Sequence, residues 1–248
     1  MTYCLAMKVN KGLVFASDSR TNAGVDYVST FSKMHTFAWP GDRVFVILTA
    51  GNLATSQAVM NQICTDLESE KPGPSLKSAK HLFEVAHYIG QLSQAEQAQH
   101  AEAMRQSKLS GEASFIVGGQ IGEQETGIYQ VYPQGNYISA STETPYLQIG
   151  ETKYGKPILD RIINPSTTLE DAARCALVSL DSTIRSNISV GPPLEVAIYK
   201  TQALEEPKHV KLTLNSPMYK SIQKRWNEGL ARAFKRLPRF DWEEEVEE

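Results

Sequence analysis

The chain has 248 residues, of which 41% are hydrophobic and 21% charged, and its formal net charge is −3. This size and composition fit one large globular domain as well as two small ones. The mild acidity excludes the concentrated basic face of a nucleic-acid-binding protein, and no run approaches the roughly 20 apolar residues of a membrane helix. We therefore expect neither nucleic acid nor a membrane as a partner.

The chain opens with Met1-Thr2, and removal of Met1 before so small a residue would leave Thr2 at the N-terminus. A Thr hydroxyl is a weak nucleophile that needs an adjacent base, and an α-amine on the same residue is one solution. Such an amine has an ordinary pKa of about 7.7 to 8, so part of it is neutral at cellular pH. Because many chains begin with Met-Thr, Thr2 is a candidate nucleophile only in combination with other residues.

The first part of the chain predicts strands. Residues 2–9 and 13–16 flank the turn at Asn10-Lys11-Gly12 and indicate a hairpin. Residues 25–37 indicate a second extended ribbon, and 43–51 are so apolar that we expect a buried strand.

The rest of the chain alternates between helical and strand periodicity. Asn52 and Thr168 are candidate N-caps for two helices, and a long helix is expected over 78–107. Further strands are expected at 113–119, 127–132, 146–150, 194–200 and 209–214, with a short helix at 156–163. This order predicts an α+β fold, a four-layer αββα sandwich of two antiparallel sheets with a helix pair on each outer face.

Residues 216–248 form an extension to the domain predicted for residues 1–215. Residues 216–236 predict a basic helix, and 241–248 are an acidic tail. The apolar positions of the helix fit docking on a neighbouring protein, although a membrane-surface helix is an alternative.

The three cysteines, Cys4, Cys64 and Cys175, lack CxxC spacing, and their odd number cannot form a closed disulfide framework. Their apolar neighbours predict buried thiols in a reducing compartment, which indicates a cytoplasmic protein.

The combination of Thr2, the stretch Gly12 to Arg20, Lys33 and Ala50-Gly51 resembles the proteasome β-subunit superfamily of N-terminal nucleophile hydrolases. The resemblance covers nearly the whole chain. Within that superfamily the chain is most similar to the bacterial ancestral β-subunit group, Anbu, in its immediate Met-Thr start and its basic C-terminal helix with an acidic end.

The resemblance implies roles for individual residues. Thr2 would be the nucleophile, Asp18 would orient Lys33, and the Lys33 ammonium would stabilise negative charge on the hydroxyl and disfavour a protonated α-amine. The Gly51 N–H would bind the oxyanion. A plain buried ion pair and a turn glycine are the structural alternatives for these residues.

Two stretches depart from the family pattern. Glu151 stands where the family has a serine near the N-terminal amine, and a carboxylate there would favour the protonated amine unless Lys33 outweighs it or Glu151 relays protons. The family's later Asp-x-x-Ser-Gly is irregular at 186–191, so that only Ser189 is carried over, without Asp181.

The resemblance implies a threonine-type peptidase that hydrolyses peptides or proteins, needs no cofactor or metal, and assembles as a homo-oligomer, in a ring or an open helical assembly. The alternatives are a self-assembling scaffold with weak proteolysis and a small-amide hydrolase on the same fold. The substrate pocket would be formed by Thr21, Phe31, His35, Thr49 and Leu53.

Overall fold

The computed structural model describes residues 2–22 and 28–242, and this part of the chain contains twelve strands and five helices. The strands are β1 (Tyr3–Val9), β2 (Gly12–Asp18), β3 (Arg20–Asn22), β4 (Val28–Thr30), β5 (Met34–Trp39), β6 (Arg43–Gly51), β7 (Ala113–Ile121), β8 (Gly127–Val131), β9 (Tyr137–Ser139), β10 (Tyr146–Gly150), β11 (Leu194–Lys200) and β12 (Lys208–Leu212). The helices are α1 (Leu53–Glu68), α2 (Leu82–Gln106), α3 (Lys156–Ile162), α4 (Leu169–Ser186) and α5 (Pro217–Lys235).

Two antiparallel five-stranded sheets form the centre of the molecule. The first has the strand order β10-β1-β2-β11-β12 and the second β5-β6-β7-β8-β9. One apolar cluster lies between the sheets, a second lies between the first sheet and α3 and α4, and a third lies between the second sheet and α1 and α2. The four-layer αββα sandwich predicted from the sequence is therefore confirmed, with α5 added beside α4.

Strand β6 shows why the stretch 43–51 is apolar throughout. Val46 and Leu48 face the other sheet, whereas Phe45 and Ile47 pack on the helices. Since successive side chains of a strand point to opposite faces, a strand covered on both faces needs apolar residues at every position.

The helix caps are the predicted ones, but the long helix starts later than expected. The side chain of Asn52 accepts the Thr55 N–H and that of Thr168 accepts the Asp171 N–H. Helix α2 begins at Leu82 rather than at residue 78. Ser78 instead closes a turn in which its hydroxyl donates to the Gly73 carbonyl, and local side-chain bonding of this kind competes with a helix.

The second predicted ribbon is divided in the structure. β4 pairs with β3, whereas β5 pairs with β6, and the link between β4 and β5 contains Lys33. Residues 25–27 of the predicted ribbon, Met1 and the end of the acidic tail at 243–248 lie outside the described residues.

Helix α5 is fastened to α4 by its first half. Tyr219 is fully buried, and its hydroxyl donates to Asp181 Oδ1 at 3.2 Å. Gln223 donates to the same oxygen, and Arg185 donates to Oδ2 at 3.0 Å. The later positions Leu230 and Phe234 are 50% and 75% exposed, so α5 presents apolar surface beyond its docked half. Within residues 2–22 and 28–242, no helix has the length and apolar character to cross a bilayer.

Candidate active site

Asp18, the last residue of β2, receives hydrogen bonds from the start of β1, from the link between β4 and β5, and from the segment between α4 and β11. Its fully buried carboxylate accepts the Tyr3 N–H on Oδ1 and the Gly191 N–H on Oδ2, each at 3.0 Å. The Lys33 ammonium donates to Oδ1 at 2.6 Å. Burial raises the pKa of the Asp18 carboxyl, while Lys33 and the two backbone N–H groups oppose that rise. Three donors thus fix the Asp18 carboxylate, and one of them is the N–H of Tyr3, the residue that follows Thr2.

Lys33 is as buried as its partner. Its Nζ also donates to the Arg20 carbonyl at 2.6 Å, and its own carbonyl accepts the Thr49 N–H at 2.9 Å. An ammonium has three N–H donors, and the contacts with Asp18 and Arg20 use two of them. Among residues 2–22 and 28–242, these contacts leave one donor of the desolvated cation for another oxygen.

Thr2 is half-buried and is held through its backbone. Its carbonyl accepts the Glu151 N–H at 2.7 Å. Gly150, at φ +84°, faces the same carbonyl so closely that a Cβ there would lie 1.9 Å from the oxygen. Glycine at the end of β10 is therefore what lets Thr2 and β10 lie side by side.

A polar chain connects Glu151 to Ser189. The Asn187 amide donates to Glu151 Oε2 at 2.8 Å, and its Oδ1 accepts the backbone N–H of Ser189 at 3.0 Å and the Ser189 hydroxyl at 2.5 Å. Lys153 Nζ lies 3.4 Å from Glu151 Oε1.

These contacts form a closed circle, which we call the Thr2 network. It passes from Thr2 through Tyr3 to the Asp18 carboxylate and on to the Gly191 N–H. The backbone of Val190 joins Gly191 to Ser189, and Asn187 and Glu151 lead back to the Thr2 carbonyl. The structure therefore brings together Thr2, Asp18, Lys33, Glu151 and Ser189. Sequence analysis did not assign Asn187 or Gly191 a role.

Asp181, which sequence analysis left out of the site, does not belong to the Thr2 network. Its contacts are with Arg185, Tyr219 and Gln223 at the junction of α4 and α5.

A further buried carboxylate, that of Glu195, was missed by the sequence analysis. Its Oε1 accepts the Ser19 hydroxyl at 3.1 Å, and its Oε2 lies 2.9 Å from His209 Nε2. The Ser19 carbonyl accepts the Phe31 N–H, so Glu195 braces the segment that leads to Lys33. An acidic residue inside the apolar run 194–199 is the sequence signal that identifies it.

Cys4 is the other potential nucleophile near Lys33, and its environment makes it unreactive. The thiol is fully buried and directed to the Thr49 carbonyl at 3.5 Å. Burial raises its pKa despite the opposing charge of Lys33, so the thiolate is disfavoured. Cys175 is also buried, as predicted, but Cys64 is exposed on α1, next to the buried Ile63, and the expectation of three buried thiols was wrong.

Gly51 ends β6 with φ +103°, a conformation that favours glycine. A Cβ at this position would lie 2.4 Å from the Glu112 carbonyl oxygen. The turn into α1 therefore requires glycine for steric reasons, and this requirement is compatible with an oxyanion-binding role.

The five predicted pocket residues are in different environments. Thr49 and His35 share the α1-facing side of the second sheet, and Thr49 is buried. Phe31 is 38% exposed, and Leu53 begins α1. The buried Thr21 hydroxyl has no hydrogen-bond partner among the described residues.

His35 lines a groove of about 450 Å³ together with Phe37, Met60, Gln57, Asn61 and Cys64. Burial lowers the pKa of His35, with Glu195 opposing, so its ring is neutral at neutral pH. No described contact joins the groove directly to the Thr2 network. Across residues 2–22 and 28–242, no group of His, Cys, Asp and Glu side chains is arranged to hold a metal ion.

Comparison with known proteins gives a consistent result. The sequence profile described as proteasome subunit matches residues 2–199. The structure is similar to Anbu (ancestral beta-subunit) from Yersinia bercovieri, with 40% identity, 98% of this chain and 100% of that chain covered, and a TM-score of 0.91. It is also similar to the helical assembly of the Anbu complex from Pseudomonas aeruginosa, with 44% identity, coverages of 97% and 99%, and a TM-score of 0.92. Anbu from Hyphomicrobium sp. strain MC1 gives 38% identity, coverages of 97% and 100%, and a TM-score of 0.87. No curated protein sequence matches the chain.

Proposed function

The chain belongs to the proteasome subunit family and resembles its Anbu members, and we propose that it is a threonine peptidase whose nucleophile is the Thr2 hydroxyl, exposed by removal of Met1. The buried contact between Lys33 and Asp18, one residue from Thr2, is the observation that supports this proposal most strongly. A buried ammonium is costly to maintain, and a cation close to Thr2 would stabilise a threonine alkoxide.

In the proposed reaction, Thr2 Oγ attacks the peptide carbonyl. The Oγ–C bond forms, the amide C–N bond breaks, and the hydroxyl proton passes through the α-amine and a water to the leaving amine. The free N–H of Lys33 stabilises the developing charge on Oγ, and the Gly51 N–H binds the oxyanion. Water then adds to the ester, the ester C–O bond breaks, and the Thr2 hydroxyl is restored.

The remaining predicted residues support this reaction. Ser189 and Glu151 lie in the Thr2 network, and we propose that they adjust the charge around the amine. We propose that Thr21, Phe31, His35, Thr49 and Leu53 line the substrate pocket. We also propose that the protein is cytoplasmic, since the free, buried thiols of Cys4 and Cys175 fit a reducing compartment.

Covalent labelling of Thr2 tests the proposal. Protein with Thr2 at its N-terminus is treated with a β-lactone, which a threonine hydroxyl opens to an ester, and the adduct is located by mass spectrometry. We expect one adduct on Thr2, none in Thr2→Ala, and hydrolysis of fluorogenic peptides by the wild type only. Retention of Met1 in the purified protein, or an adduct on another residue, contradicts the proposal.

The two alternatives give different results in the same experiment. Cleavage of short amides without cleavage of longer peptides would favour a small-amide hydrolase. A protein that assembles but is not labelled would favour a scaffold, for which Glu151 in the serine position is the motivating observation.

We also propose that the extension at 216–248 serves assembly into a homo-oligomer. The exposed side chains of Met218, Leu230 and Phe234 on α5 form apolar surface of the kind that protein contacts cover. The similarity to a helical assembly supports an open arrangement. The double variant Leu230→Ser/Phe234→Ser should reduce particle mass in light scattering, with Leu109→Ser, an exposed change near the end of α2, as the control. An unchanged mass would refute this role.

A further inference from the structure

Asn187 lies immediately after α4 and is the only link in the Thr2 network, within the described residues, that contacts both Glu151 and Ser189. Its Oδ1 accepts both donors of Ser189, and its Nδ2 donates to Glu151 Oε2. One amide group therefore connects Glu151, which replaces the family's serine, with Ser189, the residue carried over within the irregular stretch 186–191.

The orientation of this amide follows from chemistry. The backbone N–H of Ser189 can only donate, so the group facing it must be Oδ1. The Nδ2 group then faces Glu151, and because an NH₂ group can only donate, Glu151 Oε2 must accept. An ionised carboxylate satisfies this requirement at both of its oxygens, since the other one faces Lys153.

The contacts of Glu151 differ in strength. Lys153 is 67% exposed, and its contact with Oε1 is 3.4 Å long. The hydrogen bond to Glu151, together with its charge, raises the pKa of Lys153, with the nearby Tyr154 adding to the rise. Solvent screens such an exposed pair, whereas the Asn187 contact is shorter and partly buried.

We propose that Asn187 is a positioning residue that holds the Glu151 side chain as a hydrogen-bond acceptor near Thr2 and at the same time orients Ser189. This inference rests on the proposed role of Thr2. Through Glu151, Asn187 sets the charge felt by the Thr2 α-amine, and it supplies the donor that allows a carboxylate to occupy the place of the family's serine. Among the described residues, the charged group in contact with the Glu151 carboxylate is Lys153, while the Glu151 backbone N–H binds the Thr2 carbonyl.

The substitution Asn187→Asp separates the two contacts. A carboxylate keeps the acceptor that Ser189 uses, but it removes the donor to Glu151 and places a second negative charge against it. Asn164 provides a matched control, because its Oδ1 accepts the N–H and hydroxyl of Ser166 at 3.0 and 2.5 Å, the same distances as in the Asn187 turn, at an exposed position.

Two measurements on protein with Thr2 at its N-terminus test the proposal. The first is the β-lactone labelling rate as a function of pH. We expect Asn187→Asp to lower it about 10-fold or more, the effect of losing a hydrogen bond to a charged group, and Asn164→Asp to leave it unchanged. The second is the titration midpoint of the α-amine, obtained from acetic anhydride labelling across pH, which needs no catalysis. We expect the midpoint to rise in Asn187→Asp, because added negative charge favours the protonated amine.

The outcomes distinguish this inference from the proposed function. If the wild type is labelled on Thr2 but Asn187→Asp has the same rate, pH profile and amine midpoint, the inference is wrong while the function stands. If the wild type is not labelled, the function fails, and the amine midpoint still decides the role of Asn187. Thermal unfolding of both variants verifies that the compared proteins are folded.

Discussion

Asp18 and Asp181 are both buried aspartates with a cation and further donors, yet they serve different regions. The cation of Asp18 is Lys33, which is 5% exposed and comes from another part of the chain. The cation of Asp181 is Arg185, which is 55% exposed and lies one helical turn away on α4. Removing a cation from water is costly, whereas a solvated one costs little. The Asp18 pair is therefore the costlier of the two to bury, as the proposed catalytic role would require, whereas the Asp181 cluster holds α5 against α4.

Replacing Lys33 and replacing Arg185 should differ strongly in their effects on labelling and on stability. Lys33→Ala removes the donor proposed for the Thr2 hydroxyl and should lower the β-lactone labelling rate by about 10²- to 10³-fold. It should also reduce the free energy of unfolding by about 3–5 kcal/mol, because Asp18 is left buried without its cation.

Arg185→Ala is the matched control for that substitution. Because Arg185 is exposed and Asp181 keeps Tyr219 and Gln223 as donors, we expect a loss of about 0–1 kcal/mol and no change in labelling. Chemical denaturation measures the stabilities, and labelling is compared on protein that is folded by near-ultraviolet circular dichroism. Equal labelling by Lys33→Ala and the wild type would remove the distinction between the two aspartates.

Tyr219→Ala tests the contact between α4 and α5 from the α5 side. Loss of this fully buried ring should lower the free energy of unfolding by about 3–5 kcal/mol, while the folded fraction labels at the wild-type rate. Tyr219→Phe, which keeps the ring and loses only the hydroxyl, should be affected less. A labelling defect in folded Tyr219→Ala would mean that α5 and the Thr2 network are coupled.

Gly51→Ala tests the proposed oxyanion-binding residue, and its expected effect on stability is smaller than that of Lys33→Ala or Tyr219→Ala. The added Cβ meets the Glu112 carbonyl, and φ is in the left-handed region, so we expect a loss of about 1–3 kcal/mol together with slower labelling. Gly41→Ala is the control, since Gly41 has φ +78° but open space around the added atom. Labelling at the wild-type rate by Gly51→Ala would argue against an oxyanion role for its N–H.

The pH dependence of His35 should give the smallest effect. Because burial lowers its pKa in the folded protein, the unfolded chain, with a pKa of about 6.5, binds more protons as the pH falls below that value. The free energy of unfolding should therefore decrease on acidification from about pH 6.5, and His35→Gln should reduce this slope. His100→Gln, at an exposed position of α2, should leave it unchanged in urea titrations at several pH values.

The sequence predicted the fold because the patterns that determine it are local. Asn52 caps the helix it precedes, and the stretch 43–51 is apolar at every position because both faces of its strand are covered. The start of α2 was wrong because the hydroxyl of Ser78 finds a carbonyl in its own turn, a competition that periodicity does not reveal.

The site was predictable only where the family resemblance supplied the residues. Asp18 and Lys33 pair, and the N–H of Tyr3, the residue after Thr2, donates to Asp18; the catalytic roles implied by the resemblance stay predictions. Asn187 and Glu195 act through partners that are distant in sequence, and neither spacing nor composition relates Asn187 to Glu151 before α4 is folded. The departure at Glu151 was visible in the sequence, but the amide that accommodates it was not.

The Thr2 network also has a consequence for synthesis of the protein. Asp18 receives one N–H from Tyr3 and the other from Gly191, which are far apart in sequence. A nascent chain that has not reached Gly191 can already have lost Met1, yet its Asp18 still lacks one of the three donors that fix its carboxylate. If Thr2 is the nucleophile, its exposure by removal of Met1 can therefore precede completion of the contacts around Asp18, which must wait until Gly191 has been made.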